Sequence, residues 1–335
     1  MDVLHLTNNK DLLEFTENLS YKTNFAADKY FPKQKSRALK ALIQQLVANG
    51  EVPVMAQFHS LDAEARIGDR SNYTELEFKK LPIKEKLNIT ERILEAFGSG
   101  VSDTLKTEVL QFIFDDASNL VSRVLTRMAA ANTEVLATGK LVIKENNIDT
   151  VIDYNVPVAN KVTFTAWADA SHDIVADLDN INAAAKKAGY KITKAICNSS
   201  VIGYITKNTA LRETLSRAGL LPTSNRVVGV LEEAIGYGFE VNDDVYKTSM
   251  NGETKNMYPD NTITFITSSD AGVGAGALGY TPEELAGINA SERSLVTLTT
   301  YNTEDPVALW TKASALYVPV LRNPNGIFIA TINNA

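Results

Sequence analysis

From Asp103 to Thr138 the chain contains neither glycine nor proline, and this stretch restricts the fold more than any other. Leu105, Val109, Phe112, Ile113, Ala117, Leu120, Val121, Val124 and Met128 recur at spacings of three and four, the period of one helix face. Asp103, Glu108, Asp115 and Asp116 fall in the first half, and Arg123 and Arg127 in the second. A helix dipole favours that polarity. Gly139 follows as a natural stop. Such a helix would reach about 50 Å at 1.5 Å per residue, more than the width of a small compact domain. Its apolar face is broad and has no heptad seam, so the expectation is an elongated subunit with a rod as its backbone.

The segments on either side fit an α+β protein. Asn8 or Asn9 can cap a short helix over Asp11 to Leu19, and residues 35–48 read as another, through Leu39, Leu42, Ile43 and Leu46. Val52, Val54, Ala56 and Phe58 alternate at strand spacing. A second extended run follows, with Leu76 and Phe78 on one side and Glu75, Glu77 and Lys79 on the other. Gly68-Asp69 and Ser71-Asn72 supply turn chemistry between the two runs. Nearly half the residues from Asp62 to Arg92 are charged. A ribbon so poor in apolar side chains buries no core of its own, and an isolated hairpin is marginal in water. It must lie on something larger, in this chain or in another subunit.

After the rod, KLVIKE, TVIDYNV and NKVTFTAW read as strands. Helix and strand then alternate. Helices are expected over Ile174–Ala188 (ending at Gly189), Ser199–Lys207, Ala210–Ala218 and Arg226–Ile235, and strands over Tyr190–Cys197, GFEVNDDVY and NTITFITS, the last two joined near Asn251-Gly252. The end of the chain is strand-rich. SALYVPVL and GIFIATI flank Asn323-Pro324-Asn325-Gly326, a hairpin signal.

Composition excludes several functions. Of 335 residues, 44% are hydrophobic and 22% charged, as in ordinary folded domains. A net charge of −7 disfavours a broad phosphate-neutralising face. The N-terminus carries no secretory pattern, and no apolar run approaches the roughly 20 residues of a membrane span. Since the chain begins at Met1, nothing is expected to have been removed from its front. The single cysteine, Cys197, cannot form an internal disulfide, as suits a reducing compartment. It reads as a small buried residue at a strand end, with none of His5, His59 or His172 tied to it by spacing.

Three motifs invite chemistry. Gly274, Gly276 and Gly279 match G-x-G-x-x-G after a strand, the fingerprint of a nucleotide-dependent oxidoreductase. However, the helix opens later, at the capping box Thr281-Pro282-Glu283-Glu284, and too little chain follows for a βαβ unit. A flexible glycine-rich surface loop is the expected alternative. His172 lies among Asp169, Asp173, Asp177 and Asp179, but a helix capped by Ser171 or Asp169 accounts for these better than a metal does. Asp243-Asp244 and Glu232-Glu233 are adjacent pairs, and on a strand Asp243 and Asp244 would face opposite ways. No catalytic, cofactor-binding or metal site is expected, and no enzyme activity.

The order of parts carries more than any motif: arm, charged ribbon, very long helix, α/β domain, returning strands. In that order, and in Pro259-Asp260-Asn261 before TITFIT, Gly287-Ile288-Asn289-Ala290-Ser291 before the closing strands and the C-terminal SALYVPVLRNPNGIFIATI, the chain resembles the major capsid proteins of tailed bacteriophages. Their shared fold is named after phage Hong Kong 97, and the resemblance is greatest to the branch typified by phage lambda's capsid protein. The resemblance implies an N-terminal arm at 1–50 and an extended β-hairpin loop at 51–90. It further implies a peripheral domain with its spine helix at 91–150, an axial domain at 151–299 and peripheral return strands at 300–335. It implies self-assembly through hexamers and pentamers into an icosahedral virion shell around double-stranded DNA, without sequence-specific binding, in the host bacterial cytoplasm. The partners it implies are a scaffolding protein, separate because the arm is short, and a portal protein; a decoration protein is left open, and no membrane is involved. An encapsulin-type compartment shell shares the fold and is the alternative. Some relatives crosslink subunits through a lysine–asparagine bond. Lys79, Lys80, Lys84 and Lys86, with Asn323 and Asn325, are the residues placed for it here, although solvated or ion-paired lysines are the expectation.

Overall fold

The computed structural model describes residue 14 and residues 25–38, 40–47, 72–90, 103–145, 147–287, 295–305 and 307–333. Strands β1 (Lys33–Ser36), β2 (Lys40–Val47), β3 (Asn72–Lys79) and β4 (Leu81–Thr90) precede helix α1 (Asp103–Thr138). Next come β5 (Lys140–Glu145), β6 (Ile148–Asp153), β7 (Lys161–Thr165), α2 (Ile174–Lys187), β8 (Lys194–Cys197), α3 (Ser199–Lys207), α4 (Thr209–Arg217) and α5 (Ser224–Ile235). Strands β9 (Gly238–Val241), β10 (Val245–Lys247), β11 (Thr254–Asn256) and β12 (Thr262–Ile266) lead to the short α6 (Asp270–Val273), β13 (Gly274–Gly279) and α7 (Pro282–Leu285). The chain closes with β14 (Thr297–Glu304), β15 (Val307–Leu321) and β16 (Ile327–Asn333).

These elements make two compact units, one from residues 1–41, 78–132 and 275–320 and the other from 42–77, 133–274 and 321–335. The expected rod is present: α1 spans 36 residues, about 54 Å, and Gly139 ends it in the left-handed region at φ 71°. A β-carbon there would approach Val156 to 2.6 Å, so both backbone sign and space demand glycine.

In the first unit, β1, β13, β15 and β14 lie in that order, and β4 adds to β15. Ala117, Leu120, Val121, Val124, Leu125 and Met128 of α1 pack with Leu278, Leu298, Ala313, Ala315 and Tyr317 of this sheet. Each is nearly or fully buried, and burial of one large aliphatic side chain contributes roughly 1.5–3 kcal/mol.

In the second unit the order is β7-β16-β12-β8-β9. Helices α2 to α5 bury Leu178, Ile181, Val201, Ile205, Leu211 and Leu231 against Ala195, Cys197, Ile263, Phe265 and Phe328. Thr264, between Ile263 and Phe265, faces the other way and donates to the Leu136 carbonyl in the last turn of α1 at 3.0 Å.

Several expectations need correction. Residues 35–48 are not helical: β1 pairs in parallel with β13, and β2 pairs with β3. A strand ladder outweighs the modest helix propensity of ALIQQLV. The partner of 72–79 is therefore 40–47; the run 52–58 lies outside the described residues, as does the short helix over 11–19 save Glu14. The terminal hairpin does not form either, because β16 pairs with β12 and β7 rather than with β15. Asn160 helps to fix that path, donating to the carbonyls of Asn325 (2.9 Å) and Ile327 (3.1 Å). The Asn251-Gly252 turn joins β10 to an additional strand, β11, before β12 begins. The cap of α2 is Asp173, whose carboxylate accepts from the Ala176 amide, while Asp169 holds a turn by accepting from Ser171.

Candidate assembly surface

The charged ribbon enters the first unit at Lys80, the joint between β3 and β4. Its side chain is 1% exposed. The ammonium donates to the carbonyls of Ala38 (2.7 Å), Leu278 (2.7 Å) and Ser36 (3.2 Å) and to the Ser36 hydroxyl (2.8 Å). Burial draws its pKa below that of a free lysine. The expectation of a solvated or ion-paired lysine fails here, because three carbonyls replace water. Beyond Lys80, β4 runs antiparallel to β15 from Leu81 opposite Tyr317 to Thr90 opposite Ala308. Lys86 stands 3.8 Å over the Trp310 ring, Glu85 pairs with Arg123, and Lys79 is exposed.

Beside this strand the capping box of α7 forms as expected, Thr281 and Glu284 each bonding the other's backbone amide. Glu284 also takes an ion pair from Lys35 at 2.6 Å. Glu283 accepts from Lys312 at 2.6 Å and lies 3.6 Å from Lys84. Burial would raise its pKa. The bond from Lys312, a backbone amide and the charges of Lys312 and Lys84 outweigh burial and bring it to about 2.

The glycine motif is neither a nucleotide loop nor a flexible surface loop. Gly274 to Gly279 form β13, inside the first unit's sheet, and the Gly276 amide donates to the Pro32 carbonyl at 3.0 Å. Amides committed to a sheet do not cradle a pyrophosphate. The glycines are there for close approach. A β-carbon on Gly276 would meet the Tyr317 hydroxyl at 2.8 Å and the Phe31 carbonyl at 3.1 Å, and one on Gly279 would meet Leu316 and Lys80 at 3.0–3.1 Å.

The other candidates are structural. Cys197 ends β8 fully buried, and burial, with the charge of Asp243 adding, pushes its thiol up to about 12. Asp177 accepts from Trp167 Nε1 and lies within bonding distance of His172 Nε2, both at 2.8 Å. Asp243 and Asp244 sit in the connection between β9 and β10 rather than on a strand. The Asp243 carboxylate accepts from Ser199, and the Asp244 carbonyl accepts from the Met257 amide. Glu232 accepts from the Phe239 amide at 2.7 Å. Asn323 accepts from the Gly326 amide in its own turn. Among the described residues no group of three or more His, Cys, Asp or Glu side chains converges as metal ligands would, and no helix is long and apolar enough to cross a membrane.

In the first unit a long helix lies under a sheet, and the carboxylates and lysines beside β4 are consumed in fastening it. Residues 9–332 match the family model for phage major capsid protein E. The chain belongs to this family. As a capsid protein it is a structural subunit of a phage shell with the Hong Kong 97-type α+β fold. No curated protein sequence matches it. Among solved structures it is similar to a protein assigned as a prophage capsid protein of Escherichia coli CFT073, at 13% identity and TM-score 0.65, covering 98% of this chain and 99% of that one. It is also similar to a phage-related protein from Bordetella bronchiseptica RB50, at 9% identity and TM-score 0.57, covering 95% and 96%. A third likeness is to the mature capsid of bacteriophage PhiM1, at 9% identity and TM-score 0.52, covering 94% and 89%. Sequence reasoning found the capsid family but missed the Lys80 cage and the reason for the glycines, since both depend on strands far apart in the chain.

Proposed function

We propose that this capsid protein builds an icosahedral shell around the double-stranded DNA of a tailed phage through hexamers and pentamers, and that it catalyses nothing and needs no cofactor or metal. The family match over residues 9–332 carries the reading. Residues 1–50 act as the arm, 51–90 as the extended loop lying on a neighbouring subunit, 91–150 and 300–335 as the peripheral domain, and 151–299 as the axial domain. The two compact units suggest shifting the inner boundaries, so that β13 goes with the peripheral sheet and β16 with the axial one. Assembly takes place in the host cytoplasm with a scaffolding protein and a portal protein, and the wall encloses DNA without reading its sequence. Neighbouring subunits are not crosslinked, so particles boiled in detergent run as monomers on a gel.

The test is expression with and without the scaffolding protein, followed by negative-stain electron microscopy. Closed shells, or capsomers that close when scaffold is added, are the expected result. A uniform small oligomer under both conditions overturns the reading.

A further inference from the structure

Strands β5 and β6 form a two-stranded sheet of their own. Their register sets Lys140 opposite Asp153, Val142 opposite Val151 and Lys144 opposite Asp149. Alternate residues of a strand share a face, so these six side chains stand together. On the opposite face Leu141 is only 3% exposed, although Ile148 near the turn is 37% exposed, whereas Val142 is 40% and Val151 54% exposed. The outward face is thus one strand of lysine and valine beside one strand of aspartate and valine. Lys140 and Asp153 already touch at 2.8 Å, yet their side chains remain 44% and 43% exposed.

Two amides on the outer edge of β5 are occupied. The Lys140 amide donates to Thr138 Oγ1 at 3.1 Å and the Val142 amide to Glu134 Oε1 at 2.9 Å. Those two amides are not open to a strand from another chain, and the exposed charges and valines lie on the face. Two copies of the face are complementary in one orientation. A two-fold axis parallel to the strands lays each lysine strand over the partner's aspartate strand and valine over valine. A two-fold axis across the strands opposes lysine to lysine. Like charges brought face to face are strongly disfavoured, so charge alone selects the first arrangement. The contact is isologous and small, suited to a shell in which it is repeated many times.

We propose that this outward face of the β5–β6 hairpin is a contact between two copies of the chain, related by a two-fold axis along the strands. The proposal rests on the shell-subunit reading. Its test uses two full-length variants, Lys140→Asp/Lys144→Asp and Asp149→Lys/Asp153→Lys, each expressed alone and both together, with shells quantified by sedimentation and electron microscopy. Alone, each variant loses shell yield by at least about tenfold, and co-expression returns it to within about twofold of the unmodified chain. Val151→Asp breaks no ion pair and loses shells in the same way, which covers the case of a charge variant that fails to fold. Unmodified yield from either charge variant or from Val151→Asp overturns the contact, as does failure of co-expression to restore it. An unmodified chain that forms no shells under any condition overturns the capsid reading itself, and the contact with it.

Discussion

The two five-stranded sheets reach similar cores by different routes. In the second unit's sheet, β7-β16-β12-β8-β9, four of the five strands come from one stretch, residues 161–266, with helices α2 to α5 between them supplying the apolar side chains above the sheet, and β16 is inserted from the end of the chain. The first unit's sheet builds on β13, β14 and β15 from residues 274–321 and adds two strands from far earlier in the chain, β1 and β4. It fastens them with polar groups taken out of water: Lys80 among carbonyls, Glu284 with Lys35, Glu283 with Lys312. Amphipathic helices cover the stretch that folds back locally. Strands that arrive from far away are held by specific bonds in both sheets, β16 by Asn160 and β1 by Lys80, with close glycine contacts added at β13.

Four measurements would break or sharpen that contrast. The largest effect is expected for Lys80→Met, which leaves buried carbonyls without a donor and should cost about 3 kcal/mol. Hydrogen exchange should show β1 and β13 loosened while β8 and β12 stay protected. Equal loosening in both sheets would erase the contrast. Next, Gly276→Val forces a side chain onto Tyr317 and the Phe31 carbonyl and should cost about 2–3 kcal/mol, read from denaturant unfolding.

Third, the Glu283 carboxylate has its folded pKa lowered from 4.5 to about 2. Between those values the unfolded chain binds the proton more readily, so this contribution is complete above about pH 4.5 and disappears as pH falls toward 2. Glu283→Gln should flatten the acid limb of the stability profile by an amount on the order of 1–3 kcal/mol, and an unchanged limb would refute the assignment. Fourth and smallest, Gly203 and Gly229 lie in helices α3 and α5, and a β-carbon on either meets nothing within 4 Å. Alanine at each should stabilise the second unit by about 0.5–1 kcal/mol, a rise in melting temperature opposite in sign to the Gly276 effect.

By itself the sequence determined what depends on near neighbours. The rod from Asp103 to Thr138 follows from periodicity and from Gly139, and helices α2 to α5 follow from apolar stripes and stop residues. The capping box at Thr281 was equally legible, because a cap needs only four consecutive residues. Tertiary structure alone decided the rest. ALIQQLV has helical propensity, yet it becomes β2 because β3 supplies a ladder. IFIATI leaves its apparent hairpin partner because β7 and β12 accept it. Gly276 and Gly279 are explained only by Tyr317, Leu316 and Lys80, side chains far away in the chain. Local propensity differs by less than about 1 kcal/mol per residue, so a ladder or a buried contact that forms only in the folded chain overrides it.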